Sequence, residues 1–434
     1  ARAVLTERSS VDVPAGVVVL YVPNLEKALD TIVPFFYDYP ARAMRVVGIT
    51  GTNGKTTTSY LVRAILRHAG RRVGLIGTIQ AMIEDEVLPT SNTTPDIIVL
   101  QQMLAEMRTR GMDAVVMEVS SHALALGRVA GIEFDTAVFT NLTQDHLDFH
   151  KTMENYARAK AHLFELVSAP GAKEGKTAVL NADDAASETM RAYTHCPIIT
   201  YGVDHSADLT AQDVQLACDG MELTLMHGGK RLFHLHTGIT GLFNVHNVLA
   251  AVGASLAEHV AATDIAAALT AFTGVPGRFE LVREGQDFAV IVDYAHTPDG
   301  MENVLRTARA VTKGRIIAVF GCGGDRDRTK RPIMGRIGAE MADIAILTSD
   351  NPRTEDPAAI VDEVERGVLP VIGDKPYEKI VDRRTAIFHA IGRAQAGDTV
   401  VILGKGHETY QILKDETIHF DDREQAREAI RSRA

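Results

Sequence analysis

The sequence predicts an α/β protein: a central parallel-sheet domain of P-loop type, a second βα domain after it, and a short remnant of a further domain in front. Three observations carry this. The stretch Gly51-Thr52-Asn53-Gly54-Lys55-Thr56-Thr57-Thr58 lies between a strand-like run, Arg45–Ile49, and a segment with Leu61, Val62, Ile65, Leu66 and Ala69 at helical spacing. From about Ala41, strand-like and helix-like segments alternate, the pattern of a parallel sheet covered on both faces. After Gly274-Val275-Pro276-Gly277, a linker by its turn residues, a second βα series begins.

In order, residues 1–40 hold one strand around Val17–Tyr21 and a helix over Leu25–Phe35, the expected tail of an N-terminal domain that is largely missing. Residues 41–275 form the expected central domain. Within it Thr94-Pro95-Asp96 reads as a helix start, with Thr94 as hydroxyl cap and proline in the first turn. Strands are expected over Asp113–Val119 and Asp135–Thr140. Residues 170–240 read as a small, mainly β insertion, and a helical stretch follows from Asn244 to Phe272. Residues 276–434 form the last domain. Its strands near Ala289–Asp293, Ile316–Phe320, Ile344–Thr348 and Val400–Leu403 are each followed at once by a polar or glycine-rich motif.

Composition bounds the function. The 434 residues are 46% apolar and 23% charged, as in an ordinary globular protein of two to four domains. A net charge of −11 argues against non-specific binding to nucleic acid or an anionic membrane. The three cysteines, Cys196, Cys218 and Cys322, have no metal or disulfide spacing, which fits a reducing cytoplasm. No stretch approaches the roughly 18 apolar residues of a membrane span.

Strand, glycine loop and helix together make a phosphate cradle. Glycines let backbone N–H groups approach phosphate oxygens, the helix N-terminus favours an anion, and Lys55 adds positive charge. Thr56 stands where a hydroxyl holds Mg²⁺. The general P-loop pattern asks for glycine at position 49, which is isoleucine; the glycine sits at 51 instead. Glu118, near the carboxyl end of its strand, and His146, after the next strand, are expected to face the crevice of the glycine loop, because ligands of open α/β sheets gather at that edge. Glu118 is a hard oxygen ligand for Mg²⁺ or a capping or salt-bridged surface glutamate. His146 is a site group or a structural histidine. By residue type alone, Lys160 reads as a solvated helix lysine. Arg326 and Arg353 stand at strand ends, either to fork onto a substrate carboxylate or to pair with Asp325, Asp350 or Glu355.

With these motifs assembled, the sequence resembles the Mur ligase family, ATP-dependent amide-forming enzymes of peptidoglycan precursor synthesis. The marks are GTNGKTTT at 51–58, NTTP at 92–95, EVSSHAL at 118–124, NLTQDHLDFH at 141–150, FNVHN at 243–247, PGRFE at 276–280, DYAHTPD at 293–299, DNPR at 350–353 and GKGHE at 404–408. The displaced glycine is this family's form of the loop. The resemblance implies a uridine-nucleotide domain, a central ATPase and a C-terminal Rossmann-like domain. It implies ATP binding by Gly51, Thr52, Asn53, Gly54, Lys55, Thr56, Thr57, Asn247, Arg278, Asp293 and His296. It places UDP-N-acetylmuramoyl-L-Ala-D-Glu against Asn92, Thr93, Thr94, Ser120 and Arg128, and Mg²⁺ at Thr56, Glu118 and His146. Lys160 matches a lysine whose CO₂-derived carbamate ligates a second Mg²⁺, which reverses the reading from residue type. Lys55, Lys160, His146 and Glu118 are then the catalytic group. The incoming amino acid would meet Arg326, Asp350, Asn351, Pro352, Arg353, Gly404 and Glu408. DNPR implies meso-2,6-diaminopimelate, whose distal carboxylate Arg353 can pair and which lysine lacks. Leu126 departs from the family by replacing a polar substrate contact of some relatives. The resemblance implies a cytoplasmic enzyme without nucleic-acid or membrane partners, and a monomer is expected. The rival readings are a lysine-adding relative, a folylpolyglutamate synthase that shares the ATPase, and a P-loop switch or scaffold.

Overall fold

A computed structural model describes residues 2–88 and 92–433. Strands β1 (Ala3–Thr6) and β2 (Val18–Tyr21) pair in parallel ahead of the helix Leu25–Phe36, which Asn24 caps by accepting from the Lys27 amide. The central domain then builds one mixed sheet. Its strands are β3 (Arg45–Thr50), β4 (Val73–Ile76), β5 (Ala81–Ile83), β6 (Glu86–Leu88), β7 (Ala114–Glu118), β8 (Thr136–Phe139), β9 (Thr177–Asn181), β10 (Ile198–Gly202), β11 (Leu209–Ala217), β12 (Gly220–His227) and β13 (Lys230–Thr237). They lie in the order β13-β12-β11-β10-β9-β8-β3-β7-β4-β5-β6, parallel from β11 to β4 and antiparallel at both ends.

The phosphate-loop strand β3 is central because it is apolar on both faces. Val47 and Ile49 pack with Leu61, Val62 and Ile65 of the helix Lys55–His68 and with the helix Leu242–Ala257. Val46 points the other way, toward Leu100, Leu104, Phe134 and Phe164. Gly48 is glycine for lack of room, since a Cβ there would lie 2.7 Å from the Phe134 ring.

The structure revises four expectations. Residues 1–40 hold two strands and not one, because the four-residue run Ala3–Thr6, too short to show a pattern of its own, pairs with Val18–Tyr21. Thr94 does not cap the helix Ile97–Thr109; Asp96 does, accepting from the Ile98 and Val99 amides. Residues 170–240 are no separate insertion: β9 and β10 continue the parallel sheet, and β11–β13 finish it as an antiparallel edge. The stretch from Asn244 to Phe272 is two helices, Leu242–Ala257 and Ala262–Thr270, broken at His259, which takes a positive φ of 60°.

The C-terminal sheet comprises β14 (Glu280–Leu281), β15 (Ala289–Asp293), β16 (Ile316–Phe320), β17 (Ile344–Leu347), β18 (Tyr377–Lys379) and β19 (Thr399–Leu403). The order is β14-β15-β19-β16-β17-β18, parallel except at β14, with an apolar cluster on each face. The carboxyl ends of β15, β16, β17 and β19 deliver their motifs to one edge, as the alternation predicts.

Candidate active site

The glycine loop is held open by its neighbours. Gly51 and Gly54 take positive φ (149° and 85°), and a Cβ on either would strike Thr140 Oγ1 or Asn247 Oδ1. Asn141 braces the loop: its Oδ1 accepts from the Asn53 amide at 2.9 Å, and its Nδ2 donates to the Asn53 carbonyl at 3.1 Å. The Thr52 hydroxyl accepts from the Thr143 amide. Asn247 lies against Gly54 and receives a bond from the Thr58 hydroxyl. Thr57 is buried at the start of the helix.

Two lysines meet at this loop. The Lys55 ammonium donates to the carbonyls of Gly51 (2.9 Å) and Thr52 (2.7 Å), and the Lys160 ammonium donates to the same Gly51 carbonyl at 2.7 Å. Lys160 also sits 4.3 Å over the Tyr156 ring. Burial pushes its pKa well below that of an ordinary lysine, and the Lys55 charge adds to the effect. Lys55 is lowered too, chiefly by burial.

Glu118 is fully buried. Its Oε2 accepts from the Thr56 and Thr78 hydroxyls, each at 3.0 Å, and its Oε1 from the Thr78 amide at 2.8 Å. It forms no ion pair among the described residues, so the salt-bridged reading drops out. His146 takes a left-handed φ of 53°, with its ring 4.8 Å from that of His122. Burial lowers its pKa. Among the described residues no three His, Cys, Asp or Glu side chains gather into a metal cage. Magnesium does not require one, since it takes one or two carboxylates together with substrate phosphates and water. The Thr56 hydroxyl and Glu118 carboxylate beside a phosphate loop fit that demand. Lys160 fits it only as a carbamate, because an ammonium has no lone pair to offer.

A cleft of about 1670 Å³ runs from here to the C-terminal sheet. On the central side its wall includes Asn92, Thr93, Thr94, Ser120, Arg128 and His146. Thr94 donates to the Glu118 carbonyl and accepts from the Ser120 amide, while Arg128 donates to the Thr94 carbonyl. This inward bonding is why Thr94 does not cap a helix. Across the cleft stand His296, Arg326, Asp350, Asn351, Arg353, Gly404 and Glu408. Pro352 is buried beneath this wall, under Gly324. The glycine loop abuts the cleft through an Asn53 Nδ2–Asp299 Oδ2 bond of 2.6 Å.

Arg353, at φ 51°, donates to the Gly324 carbonyl at 2.8 Å, and Arg326 to the Asp325 carbonyl at 2.9 Å. Neither forms an ion pair among the described residues: Asp325 bonds Thr354, and Glu355 pairs with the buried Arg331. Both guanidinium charges are therefore available to the cleft. Asn351 donates to Glu408 Oε2 at 2.8 Å, and Lys405 reaches the same oxygen at 3.1 Å. Burial raises the Glu408 pKa despite Lys405. Arg278 donates to the Thr56 hydroxyl at 3.1 Å and stacks on Tyr294. Asp293 spends both oxygens on backbone, accepting from the Phe279 and Ala295 amides. It therefore shapes the loop that carries Arg278. The His296 ring opens onto the cleft, yet the surrounding protein, with Lys330 and Arg278, lowers its pKa to about 4.

The motif reading overlooked Thr78, Asn141, His122 and Asp299 as individual site groups. Thr78 follows β4, and the strand-end rule alone could have flagged it.

Known proteins bear on this site directly. Residues 49–255 match the Mur ligase middle domain and residues 277–406 the Mur ligase, glutamate ligase domain. The UDP-N-acetylmuramoyl-L-alanyl-D-glutamate–2,6-diaminopimelate ligase of Bacillus cereus is 49% identical over 435 residues, covering 100% of this chain and 87% of its own. This chain belongs to the Mur ligase family. The equivalent Mur ligase of Geobacillus thermodenitrificans is also 49% identical, over 437 residues, with 100% and 88% covered. A solved structure of a ligase of the same name superimposes with a TM-score of 0.69 at 35% identity, over 99% of this chain and 86% of that one. Mycobacterium tuberculosis folylpolyglutamate synthase with ADP shares the fold, with a TM-score of 0.71 at 18% identity, over 87% and 91%. No helix among the described residues is long and apolar enough to cross a membrane.

Proposed function

We propose that this chain is an ATP-dependent ligase that joins meso-2,6-diaminopimelate to the D-glutamate of UDP-N-acetylmuramoyl-L-Ala-D-Glu, in the cytoplasmic synthesis of peptidoglycan precursor. The observation that carries the reading is the Arg353 guanidinium, free of any carboxylate among the described residues and facing the cleft opposite the phosphate loop. An acceptor with a distal carboxylate supplies its missing partner; lysine would leave it unpaired, at a cost of about 1–3 kcal/mol or more.

The D-glutamyl γ-carboxylate attacks the γ-phosphorus of ATP, giving an acyl phosphate and ADP. The amine of diaminopimelate then attacks the acyl carbon, and phosphate departs as the amide forms. Lys55 offsets charge on the transferring phosphoryl group. Asn247 and Arg278 hold the nucleotide, and Asp293 and His296 shape its closing wall. Asn92, Thr93, Thr94, Ser120 and Arg128 orient the muramoyl dipeptide. Arg326, Asp350, Asn351, Gly404 and Glu408 join Arg353 in holding the amino acid. Thr56, Glu118 and His146 would hold Mg²⁺, which supplies Lewis-acid charge to the phosphates. The neutral Lys160 amine, favoured by its low pKa, attacks CO₂ and loses a proton, becoming a carbamate with oxygen donors. Intact mass in bicarbonate buffer checks this: one CO₂ is gained by the wild type and none by Lys160→Ala.

Residues 1–40, 41–275 and 276–434 are assigned as an N-terminal segment, an ATPase domain and an amino-acid domain; separate apolar clusters support the last boundary. An acceptor panel tests the whole reading. With ATP and the UDP-muramoyl dipeptide, phosphate release should depend on meso-diaminopimelate and be weak with L-lysine or L-ornithine. Preference for lysine would refute the role of Arg353, and turnover with folate and glutamate would refute the acceptor class.

A further inference from the structure

Arg383 and Asp422 begin two helices, Arg383–Arg393 and Asp422–Arg433, outside every motif described above. Their side chains are fully buried and joined as a two-armed fork, Nε to Oδ1 at 2.8 Å and Nη2 to Oδ2 at 2.6 Å. A pair of this kind in an apolar layer is a poor source of stability. Two of the three remaining N–H groups are spent on two particular carbonyls. Nη1 donates to the Ser349 carbonyl at 3.1 Å, and Nη2 to the Leu403 carbonyl at 3.0 Å.

Each of those carbonyls belongs to the peptide that leads into a motif: Ser349 into Asp350-Asn351-Pro352-Arg353, and Leu403 into Gly404. Their strands, β17 and β19, are not neighbours, because β16 lies between them. The ladder therefore registers one strand end against the other only indirectly, through β16. The fit between them is close, for a Cβ on Gly404 would lie 2.3 Å from Asp350 Oδ2. Gly404 takes a positive φ of 115° and donates its N–H to the Asp293 carbonyl at 3.1 Å, so Arg383 holds the carbonyl side of a peptide whose N–H side is tied to β15.

We infer that Arg383, fixed by Asp422, is a positioning residue that spans β16 and sets the mutual placement of Asp350 and Gly404. The inference rests on reading their cleft wall as the amino-acid site. Arg383 touches no substrate; it acts through the two peptides. A lysine keeps the charge beside Asp422 but cannot reach two carbonyls with a planar fork.

The test uses the full chain with Arg383→Lys and the paired Arg383→Met/Asp422→Leu, which leaves no lone buried charge. Arg383→Lys should raise the KM for meso-diaminopimelate about ten-fold or more, since small misplacements at a site are costly. The KM for ATP and the borohydride-trapped acyl phosphate should stay within about two-fold. Amide exchange should quicken at residues 349–351 and 403–405. The paired variant should show the same pattern, and it decides the matter if the lysine variant does not fold. A diaminopimelate KM at the wild-type level, or a parallel rise in every KM, overturns the inference. If the wild type does not use diaminopimelate, the reading of the cleft fails separately; unchanged exchange at both segments then overturns the positioning role by itself.

Discussion

Lys160 shows how burial can reverse what a residue type suggests. Its ammonium is enclosed by the Tyr156 ring and the Gly51 carbonyl, with no carboxylate bonded to it among the described residues. The folded pKa lies well below the unfolded one, so the folded state holds fewer protons. Stability is then lost as pH falls through the unfolded value near 10.4, and the penalty is in place at neutral pH. In CO₂-free buffer, Lys160→Met should raise unfolding free energy by roughly 1–3 kcal/mol while activity is abolished, read from urea melts and phosphate release. A less stable variant would show that the ammonium is well solvated. The position was partly legible, because Tyr156, Lys160 and Phe164 recur at four-residue spacing on one helix face, and both aromatics are buried. What no sequence pattern carries is the shared Gly51 carbonyl, 109 residues away. Arg353 is the converse case, since DNPR is legible as a motif and the structure adds that the guanidinium has only carbonyl partners, and no carboxylate, among the described residues. Arg353→Ala should cut kcat/KM for meso-diaminopimelate by about 10²–10³, or roughly 3–4 kcal/mol, and leave the weak rate with L-lysine nearly unchanged. An equal fall for both acceptors would assign Arg353 to general folding of the loop.

Three connections lock together: the linker ending in Gly277, the loop after β15 and the loop after β19. Gly277, at φ 65°, lies so close to the third that a Cβ would sit 2.0 Å from the His407 amide nitrogen. Gly277→Ala should therefore destabilise the C-terminal domain by about 1–3 kcal/mol and lower kcat, read from thermal melts and steady-state rates. A neutral outcome would mean that the loops can part at little cost. The His407 ring packs 4.9 Å from Tyr294, and burial with Arg278 and Arg423 nearby lowers its pKa to about 3. A histidine depressed in the folded state binds fewer protons there than when unfolded. Its contribution is thus full above pH of about 6.5 and is lost progressively toward pH 3. Acid unfolding should be steep across that window, and His407→Phe should flatten it; an unchanged slope would place the lability elsewhere. Elements were legible where one strong local signal acted alone, as with Gly54 before the helix Lys55–His68. They failed where signals competed. Thr94 and Asp96 are both good caps, and tertiary bonds to Glu118 and Ser120 took Thr94 inward. The alternation in β11–β13 is true of an edge strand and says nothing about which sheet it joins.

At the scale of the molecule, the proposed chemistry requires the phosphate loop and the cleft wall around Arg353 to face each other, and few direct bonds hold them so. Asp299 begins the helix Pro298–Val311 and accepts from Asn53 at 2.6 Å and Thr143 at 3.3 Å, while Arg278 reaches Thr56. The glycines and proline at 274–277 are a local signal that a sequence displays openly. The dock itself joins residues 246 positions apart, through groups ordinary in type, and no local pattern announces it. Asp299→Ala removes the carboxylate from the dock without touching either domain's core. In calorimetry the wild type should unfold in one transition, and the variant should separate into two as the domains lose their shared contact. ATP with Mg²⁺ touches both sides in the proposed mode, so at about 100 times its Kd it adds roughly 2.7 kcal/mol to the joined form. Saturating nucleotide should therefore draw the variant's two transitions back together. The variant's kcat should fall more than its affinity for ATP, because closure and not nucleotide capture depends on the dock. If Asp299→Ala keeps a single transition with the wild-type midpoint, the remaining interdomain surface couples the domains. If nucleotide raises only the central transition, ATP is held by that domain alone and Arg278 is no part of its site.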